Sequence, residues 1–321
     1  MTTVHAVDAS ITERIQELID NIEQVVFGKR EVVKRCVVGV LARGHLLIED
    51  VPGIGKTTIA QSIAQSMDCS FNRIQFTSDM LPSDILGVSI LDPKTNEFEF
   101  RKGPIFASVV LADEINRTPP KTQSALLEAM GEYHVSVDGQ THPLPRPFIV
   151  MATQNPIEYE GTYILPESQL DRFTLRVEIG YPPIEDELRI VRRRDSNKAI
   201  KDLKPVLTVD QLLALQKAAA EVTVDESVER YMLAIIQGTR EHEHIQLGAS
   251  PRGALALYEV CQARALVEGR DYVTPDDVVE MAAPVLGHRI LIKFRGADLS
   301  TAARERVRIV QEIVKSLEVP V

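Results

Sequence analysis

The stretch "HLLIEDVPGIGKTTIAQSIA", residues 45–64, predicts a strand, a glycine-rich loop and a helix in direct succession. "LLI" is a short apolar run, and Ile59 and Ile63 mark one face of the helix that follows. In this order the N–H groups of the loop and of the helix N-terminus converge on an anion. Gly53 and Gly55 let the backbone approach that anion closely, so the stretch predicts a phosphate-binding site.

One residue departs from the usual phosphate-loop pattern, because Asp50 stands where the first glycine is expected. A carboxylate aimed at phosphates would repel them, so either Asp50 points away or the loop is degenerate. In the intact part of the loop, we expect Lys56 to reach the β- and γ-phosphates and the Thr57 hydroxyl to ligate Mg²⁺.

Two later strands end in polar residues that suit hydrolysis. "VVLADE" ends in Asp113 and Glu114, as expected of a magnesium-positioning carboxylate followed by one that polarises the attacking water. "FIVMATQNP" leads into Asn155, whose amide could hold that water near the γ-phosphate. Taken alone, the acidic pair is a helix-start signal and Asn155 is a turn residue. Together with the phosphate loop, the three complete a hydrolytic set.

The first half of the chain alternates short apolar runs with helical patterns, which predicts a parallel sheet in an α/β domain. Residues 184–321 read as helices only, with start signals at Thr208 and Thr274. The Pro182-Pro183 pair is the predicted boundary. We therefore expect two domains, residues 1–183 and 184–321.

Two segments of the first domain predict β-hairpins. At about 87–100, Phe98 and Phe100 alternate with glutamates beyond an Asp-Pro-Lys-Thr-Asn turn. At about 134–144, the Asp138-Gly139 dipeptide suits a tight two-residue turn. A sheet-edge hairpin without a role remains an alternative for the first.

Composition limits the classes of partner and compartment. The net charge of -10, from 46 acidic and 36 basic side chains, repels phosphate backbones, so nucleic acid is not an expected partner. Three scattered cysteines suit neither a disulfide framework nor a zinc site, which favours the reducing cytoplasm. The acidic N-terminus, with Asp8, Glu13 and Glu17, is unlike a signal peptide. No apolar run reaches the roughly 18 to 20 residues of a membrane span, so no membrane insertion is expected.

Taken together, these motifs show that the chain resembles the AAA+ ATPases, and more closely the MoxR family among those with a hairpin inserted in the second helix. The resemblance runs from about Glu23 to Arg295. Its most specific parts are "EDVPGIGKTT", "GPIFASVVLADEINRTPPKTQSALLEAM", "MATQNPIEYEGTYILPESQLDRF" and "GASPRGALAL". It implies a P-loop NTPase with a parallel five-stranded αβα core, a smaller all-α lid domain, and ATP with Mg²⁺ as cofactors. The two hairpins would be the inserts of this clade.

The resemblance also implies roles for single residues. Asp113 and Glu114 correspond to Walker B, and Asn155 corresponds to sensor 1. Arg172 in "LDRF" matches the arginine finger, and Arg252 in "SPRG" matches sensor 2. We expect catalysis from Glu114, Asn155, Arg172 and Arg252, and metal ligation from Thr57 and Asp113. The "VVFGKR" segment would close over adenine, and the expected nucleotide contacts are Phe27, Gly28, Gly53, Ile54, Gly55, Lys56, Thr57 and Thr58.

Three of these positions have alternatives. The resemblance places Asp50 at the entrance of the loop, so we expect Asp50→Gly to leave catalysis working. Ser250 and Pro251 predict a helix start, which places Arg252 in a first turn where the helix dipole opposes it by roughly 0.3 to 1 kcal/mol. A bound phosphate would explain this cation, and a solvated arginine is the alternative. Arg172 could instead pair within its own subunit with Glu167 or Asp171.

Other features have plainer interpretations. His242 and His244 lie two residues apart on a helical pattern, so they point to different sides and do not predict a metal site. Cys261 lies on the apolar face after Pro251 and is expected in the core. "RRRD" at 192–195 is expected on a solvated face, with an interface or nucleic-acid contact as the alternative.

These observations leave three functional hypotheses. The first is a MoxR-type ATPase that remodels or matures client proteins, for which the resemblance implies a ring, commonly hexameric, and a partner with a von Willebrand factor A domain. The second is the ATPase subunit of a metal chelatase or of a DNA-processing complex. The third is a nucleotide-gated scaffold without turnover, which the intact Asp113 and Glu114 disfavour.

Overall fold

The structure is a computed structural model that describes residues 9–155, 163–192, 196–293 and 299–320. Asp8, the "PIEYEGT" segment at 156–162 and residues 193–195 of the basic cluster lie outside these ranges, so the expectations made for them have no structural counterpart.

The first half carries most of the strands and the second half most of the helices. The strands are β1 Leu46–Glu49, β2 Phe71–Gln75, β3 Gly87–Asp92, β4 Glu97–Lys102, β5 Val109–Asp113, β6 His134–Val137, β7 Gln140–Pro143, β8 Ile149–Gln154, β9 Leu175–Val177, β10 Ile245–Leu247 and β11 Leu291–Ile292. The helices are α1 Ala9–Glu23, α2 Arg30–Leu41, α3 Lys56–Ser66, α4 Pro82–Leu86, α5 Pro120–Glu132, α6 Glu167–Leu170, α7 Ile184–Arg192, α8 Ser196–Lys201, α9 Val209–Ala220, α10 Glu226–Glu241, α11 Pro251–Val267, α12 Pro275–Leu286 and α13 Leu299–Ser316.

The central sheet has five parallel strands in the order β2-β5-β8-β1-β9. Successive residues of its inner strands enter different cores: Leu46 and Ile48 belong to one hydrophobic cluster and Leu47 belongs to another. Both faces are therefore covered, which is why the inner strands appear in the sequence as continuous apolar runs. The predicted α/β class and the strands expected at "LLI", "VVLA" and "FIVMA" are confirmed.

The two edge strands have no such signature. β2 alternates between partly buried and exposed residues around the buried Ile74, and β9 is only three residues long. Their partners show that a parallel sheet continues beyond the apolar runs on both sides.

Both predicted hairpins are present. β3 pairs antiparallel with β4, and β6 pairs antiparallel with β7. Asp138 and Gly139 have φ of 51° and 76°, which are the positive values that a tight two-residue turn of this kind requires. The Phe100 ring stacks on His142 with 3.9 Å between centroids, so the two hairpins meet side by side.

Among its described residues, the second half is helical apart from the pairing of β10 with β11 and an isolated bridge between Thr223 and Tyr272. The prediction of helices only missed β10 and β11, which pair antiparallel; they are three and two residues long, too short to show an alternating pattern. The predicted helix starts are confirmed, because the Thr208 hydroxyl accepts a hydrogen bond from the Gln211 N–H, and Thr274 forms a capping box with Asp277. The boundary at Pro183 stays a prediction, since one hydrophobic cluster includes residues from both sides of it.

Two buried side chains that follow α12 connect the second half to the sheet by hydrogen bonds. The Arg289 guanidinium donates to the carbonyls of Phe173 at 2.6 Å and Thr174 at 3.0 Å, just before β9 begins. His288 contacts the Phe173 carbonyl through Nε2 at 2.8 Å. Burial lowers the pKa of Arg289 to about 10, and its Nε–H donates to Asp171 at 3.1 Å.

The structure also bears on the place of Cys261 and on the character of the helices. Cys261 is fully buried and burial raises the pKa of its thiol well above the ordinary value, so its predicted place in the core is confirmed. Among the described residues, no helix combines the length and apolar character needed to cross a bilayer.

Acid is expected to destabilise the fold through His45, which precedes β1 and is fully buried. Its Nδ1 accepts from the Val150 N–H at 3.0 Å, and its Nε2 faces the Met130 carbonyl at 3.1 Å, so a proton on Nδ1 would remove an acceptor. Burial lowers the pKa of His45 from 6.5 to about 4. As the pH falls, the unfolded chain binds the proton at a higher pH than the folded chain does. The contribution of neutral His45 to the free energy of unfolding is therefore fully present above about pH 6.5 and falls toward pH 4 by about 1.4 kcal/mol per pH unit.

Urea unfolding at about pH 7 and about pH 5 measures this loss. His45→Gln should lower stability at the higher pH and flatten the decline between the two. The remaining slope comes in part from His288, whose pKa burial also lowers. An unchanged slope in the variant would exclude His45 as the titrating group.

Candidate nucleotide-binding site

The predicted hydrolytic residues meet at one edge of the sheet. The phosphate loop follows β1, Glu114 follows β5 and Asn155 follows β8. These strands are parallel neighbours, so their carboxyl ends lie together, where open α/β sheets bind ligands. The parallel register pairs Glu49 with Gln154 and Ala112 with Ala152.

A cavity of about 340 Å³ opens at this edge, and we call it the phosphate cavity. Its described lining residues are Pro52, Gly53, Gly55, Lys56, Thr57, Thr58, Arg73, Gln75, Asp113, Glu114 and Asn155. It therefore brings together every loop, Walker B and sensor 1 residue predicted to act on phosphate or water.

The loop has the backbone that its glycines allow. Gly53 and Gly55 have φ of 83° and 93°, and Gly55 is the N-cap of α3. α3 begins at Lys56, and Lys56, Thr57 and Thr58 of its first turn line the cavity, so the helix N-terminus lies at the phosphate cavity. The Lys56 ammonium donates to the Asp50 carbonyl and lies 3.5 Å from the Gln154 carbonyl, at the root of the loop.

The Asp50 carboxylate points away from the cavity. Its Oδ1 accepts from the Val51 N–H at 2.8 Å, and its Oδ2 accepts from the N–H groups of Ile179 at 2.8 Å and Gly180 at 2.6 Å. The orientation predicted from charge repulsion is therefore confirmed. These three bonds also change the expectation for Asp50→Gly, because the substitution would leave three backbone donors without this partner.

Both Walker B carboxylates are held by neighbouring side chains. Asp113 Oδ2 accepts from Arg73 Nη2 at 2.6 Å, and its Oδ1 accepts from the Thr153 hydroxyl at 2.5 Å. Glu114 Oε2 accepts from Gln75 Nε2 at 2.8 Å and lies 3.1 Å from Arg117 Nε.

The Glu114 backbone is in the left-handed region, with φ of 58°. A glutamate in that conformation costs on the order of 1 kcal/mol or more, and such strained residues are enriched at functional sites. The Glu114 N–H donates to the Thr153 hydroxyl at 2.8 Å, which fixes the turn against β8. Asn155, buried at the end of β8, lines the same cavity.

A second cavity, of about 450 Å³, adjoins the loop on its apolar side, and we call it the base cavity. Its walls come from the segment before α2, the loop, the segment after β9 and α7. The described lining residues are Val25, Val26, Phe27, Lys29, Pro52, Gly53, Ile54, Gly55, Thr58, Ile59, Ile179, Tyr181, Pro182, Glu187, Ile190 and Val191. Because four loop residues line both cavities, one nucleotide can occupy the two together.

The "VVFGKR" segment contributes lining residues to the base cavity, and its closing over adenine stays a prediction. Phe27 lines this cavity, and the Arg189 guanidinium lies over the Phe27 ring at 4.3 Å. Gly28 is not among the described lining residues. It takes a φ of 66° and lies so close to Asp186 of α7 that a Cβ there would approach its carboxylate to 2.2 Å.

Arg172 and Arg252 line one and the same cavity, but not the phosphate cavity, in the described part of the chain. This third cavity, of about 280 Å³, is also lined by Arg43, Tyr133 and Glu259. Three guanidinium groups against one carboxylate make this cavity, the arginine cavity, a place that favours an anion.

Contacts within the chain hold both arginines in place. Arg172 donates through Nη1 to the Leu127 carbonyl of α5. Asp171 accepts from the Ser250 hydroxyl at 2.9 Å and lies 4.0 Å from Arg252 Nη1, besides its bond to Arg289. The Ser250 hydroxyl also accepts from the Gly253 N–H at 3.1 Å, which confirms the predicted N-cap. The carboxylate of Asp171 thus pairs with residues of the second half of the chain and not with Arg172.

The sequence interpretation missed three residues of the phosphate cavity and its support. Arg73 and Gln75 lie on the same side of β2, two residues apart, and Arg73 Nη2 also donates to Gln75 at 2.8 Å. Thr153 links Asp113 to the Glu114 backbone. The sequence "FNRIQ" does not alternate strictly between polar and apolar residues, so it gave no strand signal for the first two.

The donor set suits Mg²⁺. A hydroxyl and a carboxylate are oxygen ligands of the kind this cation takes, and it usually completes its shell with waters and substrate phosphates. Thr57 and Asp113 line the same cavity, and the Arg73 guanidinium pairs there with Asp113 Oδ2.

Known proteins resemble this chain over nearly its whole length. Residues 45–175 match the ATPase family associated with various cellular activities (AAA), and residues 237–313 match the AAA lid domain. The chaperone MoxR1 of Mycobacterium tuberculosis is 41% identical over 295 residues, which cover 89% of this chain and 78% of that protein. The uncharacterized protein YeaC of Bacillus subtilis is 48% identical over 307 residues, 94% of each chain. A crystal structure of a protein assigned as an ATPase from Cytophaga hutchinsonii has a TM-score of 0.87 and 38% identity, covering 97% of this chain and 96% of that one.

Proposed function

The chain belongs to the MoxR family of AAA ATPases, and from that membership we propose that it hydrolyses Mg²⁺-ATP as a ring-forming, chaperone-like ATPase that remodels or matures client proteins. One observation carries the hydrolytic part of the proposal. Loop, Walker B and sensor 1 residues line one cavity, whereas Arg172 and Arg252 line another. The chaperone-like part is supported by the relative MoxR1.

In this mechanism each residue of the phosphate cavity has a separate task. The α3 N-terminus and Lys56 bind the phosphates. Thr57 and Asp113 would hold Mg²⁺, which when bound neutralises charge between the phosphates. Glu114 polarises the attacking water, and Asn155 orients it near the γ-phosphate. Gln75 and Arg117 both contact Glu114 Oε2, so they compete with water for that oxygen.

The arginine cavity supplies the remaining charge from a neighbouring subunit. Arg172 and Arg252 share a positively charged cavity away from their own phosphate loop, so a bound γ-phosphate that meets both belongs to another copy of the chain. This arrangement makes the oligomer the catalytic unit, for which we propose a hexameric ring.

Purified protein tests the hydrolytic proposal directly. We expect Mg²⁺-dependent phosphate release from ATP, with stimulation by a partner that carries a von Willebrand factor A domain. Stimulation by DNA instead would favour a DNA-processing role, and by a porphyrin-binding subunit a chelatase role. Affinity capture with Glu114→Gln from the native cell then identifies the clients, because this variant should stay bound to ATP.

Arg252→Ala is expected to slow hydrolysis on the order of 10²-fold while ATP binding persists, because the guanidinium stabilises charge on the neighbour's phosphate. Phosphate release and nucleotide titration measure the two effects. Arg230→Ala is a matched control, since Arg230 is an exposed arginine that pairs with Glu226 on the surface of α10.

Mixing variants shows which subunit Arg252 serves. If Arg252 and Arg172 both act on the neighbour, a mixture of Arg252→Ala with Arg172→Ala contains no interface with both arginines, so activity should not recover. If Arg252 acts on its own nucleotide, intact pockets face intact fingers at some interfaces and activity returns. Recovery in confirmed mixed rings would therefore assign Arg252 to its own subunit.

A further inference from the structure

The carboxylate of Asp50 connects two parts of the nucleotide site that are far apart in sequence. Asp50 directly follows β1 and precedes the phosphate loop. Its Oδ2 accepts hydrogen bonds from two N–H groups of the segment that follows β9. Gly180 has a φ of 65°, in the left-handed region. Successive N–H groups beside such a residue form a concave anion site, which here is filled by a side chain of the same chain.

The segment held by Asp50 forms a wall of the base cavity. Ile179, Tyr181 and Pro182 all line that cavity, and α7 begins directly after them at Ile184. A second contact holds the same wall, because the Lys29 ammonium donates to the Tyr181 carbonyl at 2.7 Å. The wall is thus held from the loop side by Asp50 and from the other side by Lys29.

The remaining contacts of Asp50 place it at the root of the loop. Its N–H donates to the Gln154 carbonyl at 3.2 Å, and its carbonyl accepts from the Lys56 ammonium. A glycine in the first loop position could keep both backbone contacts but has no carboxylate for Ile179 and Gly180. The departure from the usual pattern therefore provides a connection that the usual pattern lacks.

We propose that Asp50 is a positioning residue that couples the phosphate loop to the wall of the base cavity and thereby sets affinity and selectivity for the adenine base. The proposal rests on the proposed ATPase function. It predicts that losing the carboxylate weakens recognition of the base, whereas the phosphate-binding groups Lys56 and Thr57 remain. The effect of Asp50 is therefore on the base and not on the phosphates.

Competition binding with purified full-length variants separates these contributions. A fluorescent ATP analogue is displaced by ATP, by GTP and by inorganic tripolyphosphate, which has the phosphates but no base. Asp50→Ala should bind ATP about tenfold more weakly or worse, because the N–H groups of Ile179 and Gly180 in the wall lose their acceptor, and should show a narrower preference for ATP over GTP. Its affinity for tripolyphosphate should stay within about threefold of the parent.

Three further variants serve as controls. Lys29→Ala cuts the other contact to the wall and should reproduce the base-selective loss. Gly180→Ala strains the wall through its positive φ without altering Asp50, and should do the same. Lys56→Ala should instead lose ATP and tripolyphosphate together.

Melting temperature is recorded for every variant, and Asp50→Asn, which keeps the shape and one oxygen acceptor, provides a milder test if Asp50→Ala fails to fold. Equal loss of ATP and tripolyphosphate in the folded Asp50 variants would overturn the proposal, as would ATP affinity and base preference unchanged from the parent. A parent protein that binds no ATP would overturn the proposed function itself, which is a different result from a parent that binds ATP and an Asp50→Ala variant that binds it equally well.

Discussion

Arg172→Ala should bind ATP almost normally and hydrolyse it on the order of 10³- to 10⁵-fold more slowly than the parent. Arg172 lines the arginine cavity and not the phosphate cavity in the described part of the chain, so its loss leaves the ground-state contacts of its own subunit in place. It removes the guanidinium that would stabilise charge on a neighbour's transferring phosphoryl group. Nucleotide titration and single-turnover phosphate release measure the two effects.

Mixing subunits decides whether the finger acts on a neighbour. Arg172→Ala mixed with Lys56→Ala should recover part of the activity, because some interfaces then join an intact pocket to an intact finger. Absence of recovery in rings shown to be mixed would assign the finger to its own subunit. A lower melting temperature of Arg172→Ala with a matching loss of activity would instead favour a structural role, through its bond to the Leu127 carbonyl.

Glu114→Gln should keep ATP bound and lower turnover on the order of 10²- to 10⁴-fold, whereas Lys56→Ala should abolish binding. The first residue acts on water and the second contacts phosphates that are present before the reaction. Isothermal titration with ATP distinguishes them, and phosphate release follows turnover. Glu128→Gln makes the same change of charge on an exposed position of α5 and should be indistinguishable from the parent.

A Glu114→Gln variant that hydrolyses ATP at the parental rate would show that another group polarises the water. The structure offers a further comparison in Gln75, which donates to Glu114. Gln75→Ala would retain the Glu114 carboxylate and remove one of its hydrogen-bond partners. Persistent turnover in that variant, together with loss of turnover in Glu114→Gln, would show that the Glu114 carboxylate itself polarises the water.

The parts of the fold that could be predicted are strands buried on both faces and helices that begin with a capping residue. β1, β5 and β8 are covered on both faces, and helix starts such as Thr208 combine a cap with a glutamine three positions on. β2 could not be identified in this way, because a half-exposed edge strand contains the same residues as a surface loop.

The residues of the candidate site also differ in whether the sequence could predict them. Asp113 ends β5, and Glu114 and Asn155 directly follow strands. Lys56 stands at the end of the glycine-rich loop after β1. These residues could be predicted because parallel strands bring their carboxyl ends together. Arg73 could not, because an arginine on an exposed edge strand resembles any surface arginine until its carboxylate partner is placed beside it.

Asp50 shows where charge arguments end. Electrostatic repulsion alone indicated that its carboxylate turns away from phosphate. Its actual partners are the N–H groups of Ile179 and Gly180, and backbone donors of this kind carry no residue type that a sequence pattern could reveal. Their identity depends on how β9 returns beside β1.

The attachment of Arg289 limits how this protein can be recombined with its relatives. The guanidinium is matched to two carbonyls and to Asp171 on the opposite half of the chain, and a lysine could not reproduce that fork of donors. A chimera that grafts a foreign helical half after α7 would therefore have to import residues 171–174 with it, or restore an arginine at position 289. Exchange at the Pro182-Pro183 junction would separate Asp171 from its buried cation wherever the incoming half lacks arginine at position 289, whereas a crossover before residue 171 keeps positions 171–174 and 289 from one parent.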